Sequence, residues 1–220
     1  MKFTIFCIIL ITSISIGITG SLRWYNPPTS RFIQYYESSA KKPARQTWVS
    51  IDNIPWHLSL AVIASEDQRF PNHHGFDWQQ IRSAIRDNEK GKRLRGASTI
   101  SQQTIKNLFL WPEKSLFRKG IEAWLSMWLE FLVPKKRILE IYLNIAQFGK
   151  SVFGVEASSL HYYGVSVSNI DKDQSRALAT CLPAPSYCKP NNLSEHKLRK
   201  VAWIKDSMSK LGGKSVIDKL

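Results

Sequence analysis

Residues 55–66 read PWHLSLAVIASE and predict a helix, the element that decides the class of this fold. Pro55 favours a helix start. The apolar residues that follow recur at helical intervals, as in Leu58, Ala61 and Val62. The run ends in the acidic pair that begins with Glu66, and Pro71 stops any continuation. The stretch is therefore predicted to be an apolar helix with a carboxylate at its C-terminal end.

Helical spacing continues through the rest of the chain, and few segments alternate between apolar and polar residues. Little strand is therefore expected, and residues 51–220 are predicted to form one mainly α domain. The segment 88–96 is basic, contains glycine and is predicted to be a loop. Further helices are predicted over 78–88, after Ser98-Thr99, through Ile121, Leu125, Trp128 and Leu132, from Pro134 onward, and around 173–181 and 195–211.

The N-terminus contains an uncharged, mostly apolar run of 20 residues, 3–22, which is just long enough to cross a membrane as a helix. We interpret residues 1–22 as an uncleaved transmembrane signal-anchor. A cleaved signal peptide is the alternative, although residues 17–21 are a poor cleavage pattern. Residues 23–50 are rich in Pro, Ser and Lys and are predicted to be a linker that lifts the domain off the membrane.

Basic residues outnumber acidic ones beyond residue 22, by 30 to 17. Such an excess suits an anionic partner, whether nucleic acid, anionic lipid or a phosphorylated substrate. The membrane span favours a lipid surface, and no nucleic-acid-binding motif accompanies the charge, so no nucleic acid partner is expected. Cys181 and Cys188 either form a disulfide, if the domain is exported, or remain two free thiols.

Helical geometry also groups several charged residues. Arg118 and Lys119 share a helix face with Glu122, and Lys136, Glu140 and Asn144 form another column four residues apart. Ordinary solvated pairs, worth about 0.3–0.5 kcal/mol each, are the alternative interpretation. Glu66 differs, because the apolar helix shields it partly from water, as befits a general base. The alternative there is a helix-terminal acidic pair in water.

Four segments in order resemble the motifs of the glycosyltransferase family 51 peptidoglycan polymerases. They are residues 66–77 (EDQRFPNHHGFD), 96–107 (GASTISQQTIKN), 118–122 (RKGIE) and 136–144 (KRILEIYLN). Later segments around 154–164 and 182–185 are also similar, so the resemblance covers residues 57–190. The chain most resembles the monofunctional members, because only about 30 residues follow Pro190. No transpeptidase activity is therefore expected.

The resemblance implies a reaction in which the 4-hydroxyl of one lipid II attacks the anomeric carbon of another and releases undecaprenyl diphosphate with inversion. Glu66 would be the base. The diphosphate would be neutralised by Lys106, Arg118 and Lys119. Glu122 would orient these cations, assist the leaving group or help to hold a divalent cation such as Mg²⁺ or Mn²⁺. Sugar or phosphate would be bound by Ser98, Thr99, Gln102 and Gln103. Supporting roles would fall to Asp67, Phe70, His73, Gly75, Asp77, Lys136, Glu140 and Asn144.

The resemblance further implies a mainly α, lysozyme-like two-lobed domain behind a single N-terminal transmembrane helix. Its partners would be lipid II, the growing lipid-linked glycan strand, the membrane and cell-division or cell-wall synthesis proteins. The catalytic domain would lie on the periplasmic side of a bacterial inner membrane. Residues 108–117 either dip into the membrane interface or form a buried core strip.

Three positions depart from the family pattern, namely Arg176, Gln147 and Cys181, and they bear on local packing. One rival function is a lytic or hydrolytic glycan-cleaving enzyme, which also centres on a Glu but does not need a diphosphate-binding set. Another is an inactive, membrane-tethered scaffold of cell-wall synthesis. Such a scaffold would be expected to lose Glu66 or Glu122, and both are present.

Overall fold

The computed structural model describes residues 2–89 and 98–220, and within them the chain is mainly helical, as predicted. Most of the predicted loop 88–96 lies outside these residues, and so does Gly96, the first residue of the second motif. The helices of the described part are α1 (Lys2–Ser21), α2 (Arg31–Ala40), α3 (Trp56–Glu66), α4 (Trp78–Glu89), α5 (Ile100–Phe109), α6 (Leu116–Leu132), α7 (Lys135–Ile145), α8 (Val155–Tyr163), α9 (Lys172–Cys181), α10 (Glu195–Leu211) and α11 (Lys214–Asp218).

The centre of the domain is α3, because all residues from Leu58 to Ala64 are buried. A helix that is apolar on every side belongs in a core. Helices α9, α10 and α11 pack around it, while α5 packs between α6 and α7. The central helix therefore carries Glu66 out of the core at its C-terminal end, as the sequence predicted.

The helix boundaries follow local capping chemistry. Thr99 caps α5 and forms a reciprocal capping box with Gln102. Asp171 and Gln174 form the same arrangement at α9. Pro134 immediately precedes α7. These signals are local in the sequence, which explains why the predicted helices match those observed.

A small sheet of order β1-β3-β2 joins distant parts of the chain. Its strands are β1 (Arg45–Gln46), β2 (Gln147–Gly149) and β3 (Val152–Phe153). Strand β1 runs parallel to β3, and β2 runs antiparallel to it. Gly154 follows with φ of 79°, and a Cβ there would lie 2.6 Å from the carbonyl oxygen of Asn144. Glycine is required at this turn by both its conformation and its close packing.

The expected linker, residues 23–50, contains regular structure that packs on the domain, which corrects the interpretation from composition. Ser30 caps α2 through the amide of Ile33, which is buried. The ring of Tyr36 lies 5.9 Å from that of Phe153, and β1 pairs with β3. The composition of this segment does not reveal its regular structure, because the residues of β3 that it contacts lie far away along the chain.

Helix α1 is long and apolar enough to cross a membrane, by length and composition. Ser15 and Thr19 are its buried residues, and their hydroxyls donate to the carbonyls of Ile11 and Ser15. The indole of Trp124 on α6 donates to the hydroxyl of Ser15 at 3.0 Å. Polar groups inside a membrane helix need such internal partners.

Part of the apolar segment 108–117 forms the buried core strip that the sequence allowed, and its contact with a membrane stays a prediction. Leu108 and Leu110 are buried in the core, whereas Leu116 and Phe117 are 92% and 73% exposed. The exposed pair begins α6, the helix on which α1 packs. Phe131 at the other end of α6 is also 79% exposed.

Cys181 and Cys188 form a disulfide, with their Cα atoms 5.3 Å apart. The bond closes the turn between the end of α9 and the loop that precedes α10. Of the two arrangements that the sequence allowed, the structure contains the disulfide.

Candidate active site

Glu66 lies where the buried α3 reaches an open cleft, and its side chain is half-buried. Gln103 Nε2 donates to Oε2 at 3.1 Å. The Ser65 hydroxyl lies 3.2 Å from Oε1 and 3.1 Å from the Ala179 carbonyl oxygen, and its one hydrogen can be donated to either. Each carboxylate oxygen can accept two hydrogen bonds, so both oxygens retain a lone pair for a ligand. The carboxylate is therefore oriented by the protein and accessible to a proton donor in the cleft.

The next residue, Asp67, is buried and joins the end of α3 to the start of α5. It accepts hydrogen bonds at 2.9 Å from His73 Nε2 and from the amide of Ile100. The amide of Gly75 donates to His73 Nδ1 at 3.1 Å, which assigns the imidazole proton to Nε2. The Thr99 hydroxyl donates to the Gly75 carbonyl at 2.7 Å. These bonds hold the segment that follows Glu66 against the start of α5.

The remainder of the first motif is also structural in its contacts. Asp77 Oδ1 accepts the amides of Gln79 and Gln80 at 3.0 Å and so begins α4. Phe70 is fully buried and stacks edge-on with His73. Together they fix the polypeptide between α3 and α4.

A second cluster surrounds Glu122, which is 2% exposed on α6. Arg118 Nη1 donates to Oε2 at 2.9 Å, and Lys119 pairs with Oε1. Arg118 is itself buried, whereas Lys119 is partly exposed and also donates to Ser98 Oγ at 3.3 Å. The buried carboxylate therefore orients two cations, one of which reaches solvent.

Lys106 on α5 lies within electrostatic range of both Glu66 and this cluster. Burial lowers the pKa of its ammonium group, and attraction to Glu122 and Glu66 partly opposes the effect. Repulsion from Arg118 and Lys119 lowers the pKa further. Three cations thus share one buried carboxylate, and the excess positive charge favours an anionic ligand beside Glu66.

An accessible carboxylate next to a set of cations is the arrangement that the four motifs implied. Comparison with known proteins shows the family. Residues 32–209 match the family model described as Transglycosylase. The chain belongs to the transglycosylase family. The mainly helical architecture, with its small sheet and apolar N-terminal helix, fits the lysozyme-like domain of transglycosylases.

Individual relatives cover most of the chain. A biosynthetic peptidoglycan transglycosylase from Marinomonas sp. (strain MWYL1) is 50% identical over 186 residues, which are 84% of this chain and 80% of the relative. One from Shewanella frigidimarina is 47% identical over 86% of this chain and 82% of its own. One from Pseudomonas putida is 41% identical over 94% of this chain and 89% of its own.

Two predicted substrate-binding residues of the transglycosylase motifs have their polar groups engaged inside the protein. Thr99 and Gln102 are 2% and 4% exposed. Thr99 Oγ1 accepts the amide of Gln102, and Gln102 Oε1 accepts the amide of Thr99. Both residues therefore cap α5, and their predicted substrate binding stays a prediction. Ser98 is exposed and Gln103 contacts Glu66, so these two remain at the site.

The column Lys136, Glu140 and Asn144 does not reach this site. Lys136 pairs with the exposed Asp52, and Glu140 pairs with Arg137. Asn144 is buried, and its side-chain amide exchanges two hydrogen bonds with the backbone of Val49. The helix face that these residues share holds the segment around Val49 and Asp52 against α7. Their supporting role therefore lies away from Glu66 and the cations.

The lysine of this segment that points toward the site is the neighbouring Lys135. Its ammonium lies 4.4 Å from the centre of the Phe70 ring and 2.8 Å from Glu130 Oε1. Burial lowers its pKa, and the interaction with Glu130 partly opposes this. One residue along a helix rotates a side chain by about 100°, which separates the environments of Lys135 and Lys136.

Tyr142 also reaches the site, which was not predicted from the sequence. Its hydroxyl donates to Gln103 Oε1 at 3.1 Å, while Gln103 Nε2 donates to Glu66. Burial raises the pKa of Tyr142 well above its ordinary value, and repulsion by Glu66 and Asp67 adds to the rise. The hydroxyl therefore stays a donor and fixes which end of the Gln103 amide faces Glu66. Only its place in the fourth motif marked Tyr142 in the sequence.

Replacing Tyr142 by Phe is expected to lower the kcat of transglycosylation about tenfold and to change the KM less than about twofold. The reason is that the freed Gln103 amide can rotate and present its oxygen, in place of its NH2 group, to Glu66. Steady-state kinetics measure this. In a Gln103→Ala background the same replacement should have no further effect on kcat. Tyr163→Phe, which removes a half-buried hydroxyl bonded to the Gln174 carbonyl, is the control. Additive effects of the Tyr142 and Gln103 substitutions would contradict the relay.

The divalent cation that the resemblance allowed does not fit the side chains present. Among residues 2–89 and 98–220, no group of three or more His, Cys, Asp or Glu side chains could hold a metal ion. Glu122, the suggested ligand, has its two oxygens occupied by Arg118 and Lys119. A metal cation at this position would be repelled by Arg118 and Lys119. We therefore propose no metal ion at this site.

Proposed function

We propose that this chain is a peptidoglycan glycosyltransferase that polymerises lipid II into glycan strands. The observation that carries the proposal is the juxtaposition of an oriented, accessible carboxylate, Glu66, with the cations held by Glu122. Family membership and the names of the relatives support peptidoglycan as the product class.

In the proposed step, the 4-hydroxyl oxygen of the acceptor GlcNAc attacks the anomeric carbon of the donor MurNAc. Its proton passes to Glu66, the new C–O bond forms, and the bond from the anomeric carbon to the diphosphate oxygen breaks. A positioned base of this kind contributes typically about 10²–10⁴-fold to a rate. Attack opposite the leaving group inverts the anomeric configuration.

The departing undecaprenyl diphosphate gains negative charge as the bond breaks. Lys106, Arg118 and Lys119 lie where they can neutralise it, because preorganised charges stabilise developing charge most effectively in a partly buried site. Glu122 keeps Arg118 and Lys119 oriented before the ligand arrives. Of the roles that the sequence left open for Glu122, this contact favours orientation of the cations.

We infer membrane attachment from α1 and from the exposed apolar residues of α6. The span packs beside α6, whose exposed residues include Leu116, Phe117 and Phe131. Because both substrates carry lipid tails, an anchor at the same surface raises their effective concentration near the site. The disulfide between Cys181 and Cys188 supports a periplasmic location, since such bonds persist in oxidising compartments.

Purified full-length protein in detergent, incubated with labelled lipid II, tests the proposal. Long glycan strands and released undecaprenyl diphosphate are the expected products, and the strands should remain uncrosslinked. Cleavage of finished glycan without polymer would instead favour the lytic rival. A folded protein that binds lipid II and produces neither result would favour the scaffold.

The polymerisation rate is expected to fall at alkaline pH below the ordinary lysine value of 10.5, because the pKa of Lys106 is lowered and its charge is lost early. Lys106→Arg should move this decline to higher pH, since a guanidinium stays protonated. Initial rates against pH measure the shift. Lys205→Arg on the exposed surface is the control. An unchanged decline in the Lys106→Arg protein would show that another group titrates.

A further inference from the structure

A cleft of about 630 Å³ opens on one side of Glu66, between α3, α4 and α10. None of the four motifs contributes its α10 wall, which supplies an amine and an indole. The lining includes Glu66, Asp67, Gln80, Ser83, Lys200 and Trp203.

Helix α10 is held firmly against the end of α3. Gln68 Nε2 donates to the carbonyl of Ala64 and to the hydroxyl of Ser207, both at 3.2 Å. Trp203 and Lys200 lie four and seven residues before Ser207, so all three share one helix face. The wall of the cleft is therefore attached to the same turn of backbone that carries Glu66.

The two side chains offer complementary chemistry for a carbohydrate. Trp203 is 48% exposed and presents an aromatic surface to the cleft, on which the apolar face of a sugar ring can stack. Lys200 is half-buried and lies within electrostatic range of Glu66, which favours its charged form against the effect of burial. Its ammonium supplies up to three hydrogen-bond donors for sugar hydroxyls.

The position of the cations decides which sugar occupies this cleft. An inverting displacement places the nucleophile and the leaving group on opposite sides of the anomeric carbon. Lys106, Arg118 and Lys119 mark the leaving-group side, and none of these described residues lines the cleft. Glu66, the base for the nucleophile, does line it. The cleft therefore lies on the nucleophile's side.

We propose that the cleft between α3, α4 and α10 binds the acceptor GlcNAc, with Trp203 stacking on the ring and Lys200 binding the hydroxyls that flank the 4-hydroxyl. This assignment rests on the proposed glycosyltransferase function. Lys200 and Trp203 are positioning residues for the acceptor, and they orient its 4-hydroxyl toward Glu66.

The test separates donor from acceptor with two lipid II analogues and the full-length protein. One lacks the GlcNAc 4-hydroxyl and can act only as donor. The other has a methylene group in place of the anomeric oxygen and can act only as acceptor. Their coupling gives a single lipid-linked tetrasaccharide, so the KM for each analogue is measured separately. Trp203→Ala and Lys200→Met are each expected to raise the acceptor KM about tenfold and to leave the donor KM within about twofold.

Two further variants sharpen the test. Trp203→Phe should recover most of the acceptor affinity, because stacking is retained. Lys205→Met, on the exposed side of the same helix, should change neither KM. A rise in the donor KM alone, or equal rises in both, would overturn the acceptor assignment. Unchanged kinetics in both Trp203→Ala and Lys200→Met would also overturn it. Absence of tetrasaccharide with the wild type would instead contradict the glycosyltransferase function itself.

Discussion

Replacing Glu66 by Gln is expected to lower the polymerisation rate about a thousandfold while the protein remains folded. The amide has the same shape and can still accept the hydrogen bond that Gln103 donates to Oε2. It cannot take a proton from the acceptor hydroxyl at neutral pH. The loss should therefore appear in kcat, with binding of lipid II retained. Initial rates of strand formation, together with a lipid II binding measurement, check this.

Glu156→Gln is the matched control, because Glu156 is also half-buried and its carboxylate also accepts hydrogen bonds, from Ser166 and the amide of Val167. Its rate should remain within about twofold of the wild type. If the Glu66→Gln protein polymerises at a wild-type rate, Glu66 is not the base. A large fall in its thermal midpoint would instead attribute the loss to unfolding.

Replacing Glu122 by Gln is expected to destabilise the protein by about 3 kcal/mol, because it leaves Arg118 buried without its partner charge. For a chain of this size the thermal midpoint should fall by about 6–12 °C. Polymerisation should fall as well, because Arg118 and Lys119 lose the group that orients them toward the diphosphate. Thermal unfolding of the full chain in detergent measures the first effect.

A double variant distinguishes a buried charge from a lost contact. Glu122→Gln combined with Arg118→Met should recover at least half of the lost stability, since removing both members of a buried pair is often nearly neutral. Glu195→Gln breaks an exposed pair with Arg199 and should cost less than about 0.5 kcal/mol. No recovery in the double variant would mean that Glu122 stabilises the core in some other way.

Much of the fold was predictable because its signals are local. Apolar spacing placed α3, α6 and α7, and the caps at Thr99 and Pro134 set where helices begin. The composition of residues 23–50 was misleading because it is also a local signal. The packing of α2 and β1 depends on partners such as Phe153, which no local pattern reveals.

The candidate site also combines residues that the sequence revealed with positions that only the structure shows. The motifs named Glu66, Gln103, Lys106 and the Arg118–Glu122 group, and the structure brings these together. It assigns Thr99 and Gln102 to helix capping and turns Lys136 away from the site. A motif records which residues recur, and it does not record which side of a helix each one faces.

By itself, the sequence determined the helical class, the apolar N-terminal span, the carboxylate that ends α3 and the spacing of the cations. The carboxylate and the spacing of the cations depend on neighbours within about one or two helical turns. The span and the helical class depend on longer runs, which are still continuous in the sequence. Tertiary structure alone decided that Tyr142 orients Gln103, that Cys181 bonds to Cys188, and that Lys200 and Trp203 border the cleft of Glu66. The contacts of Tyr142, Lys200 and Trp203 join residues of separate elements, and the disulfide joins the end of α9 to the loop that follows it. Each depends on how the chain packs, and packing is set by the whole core.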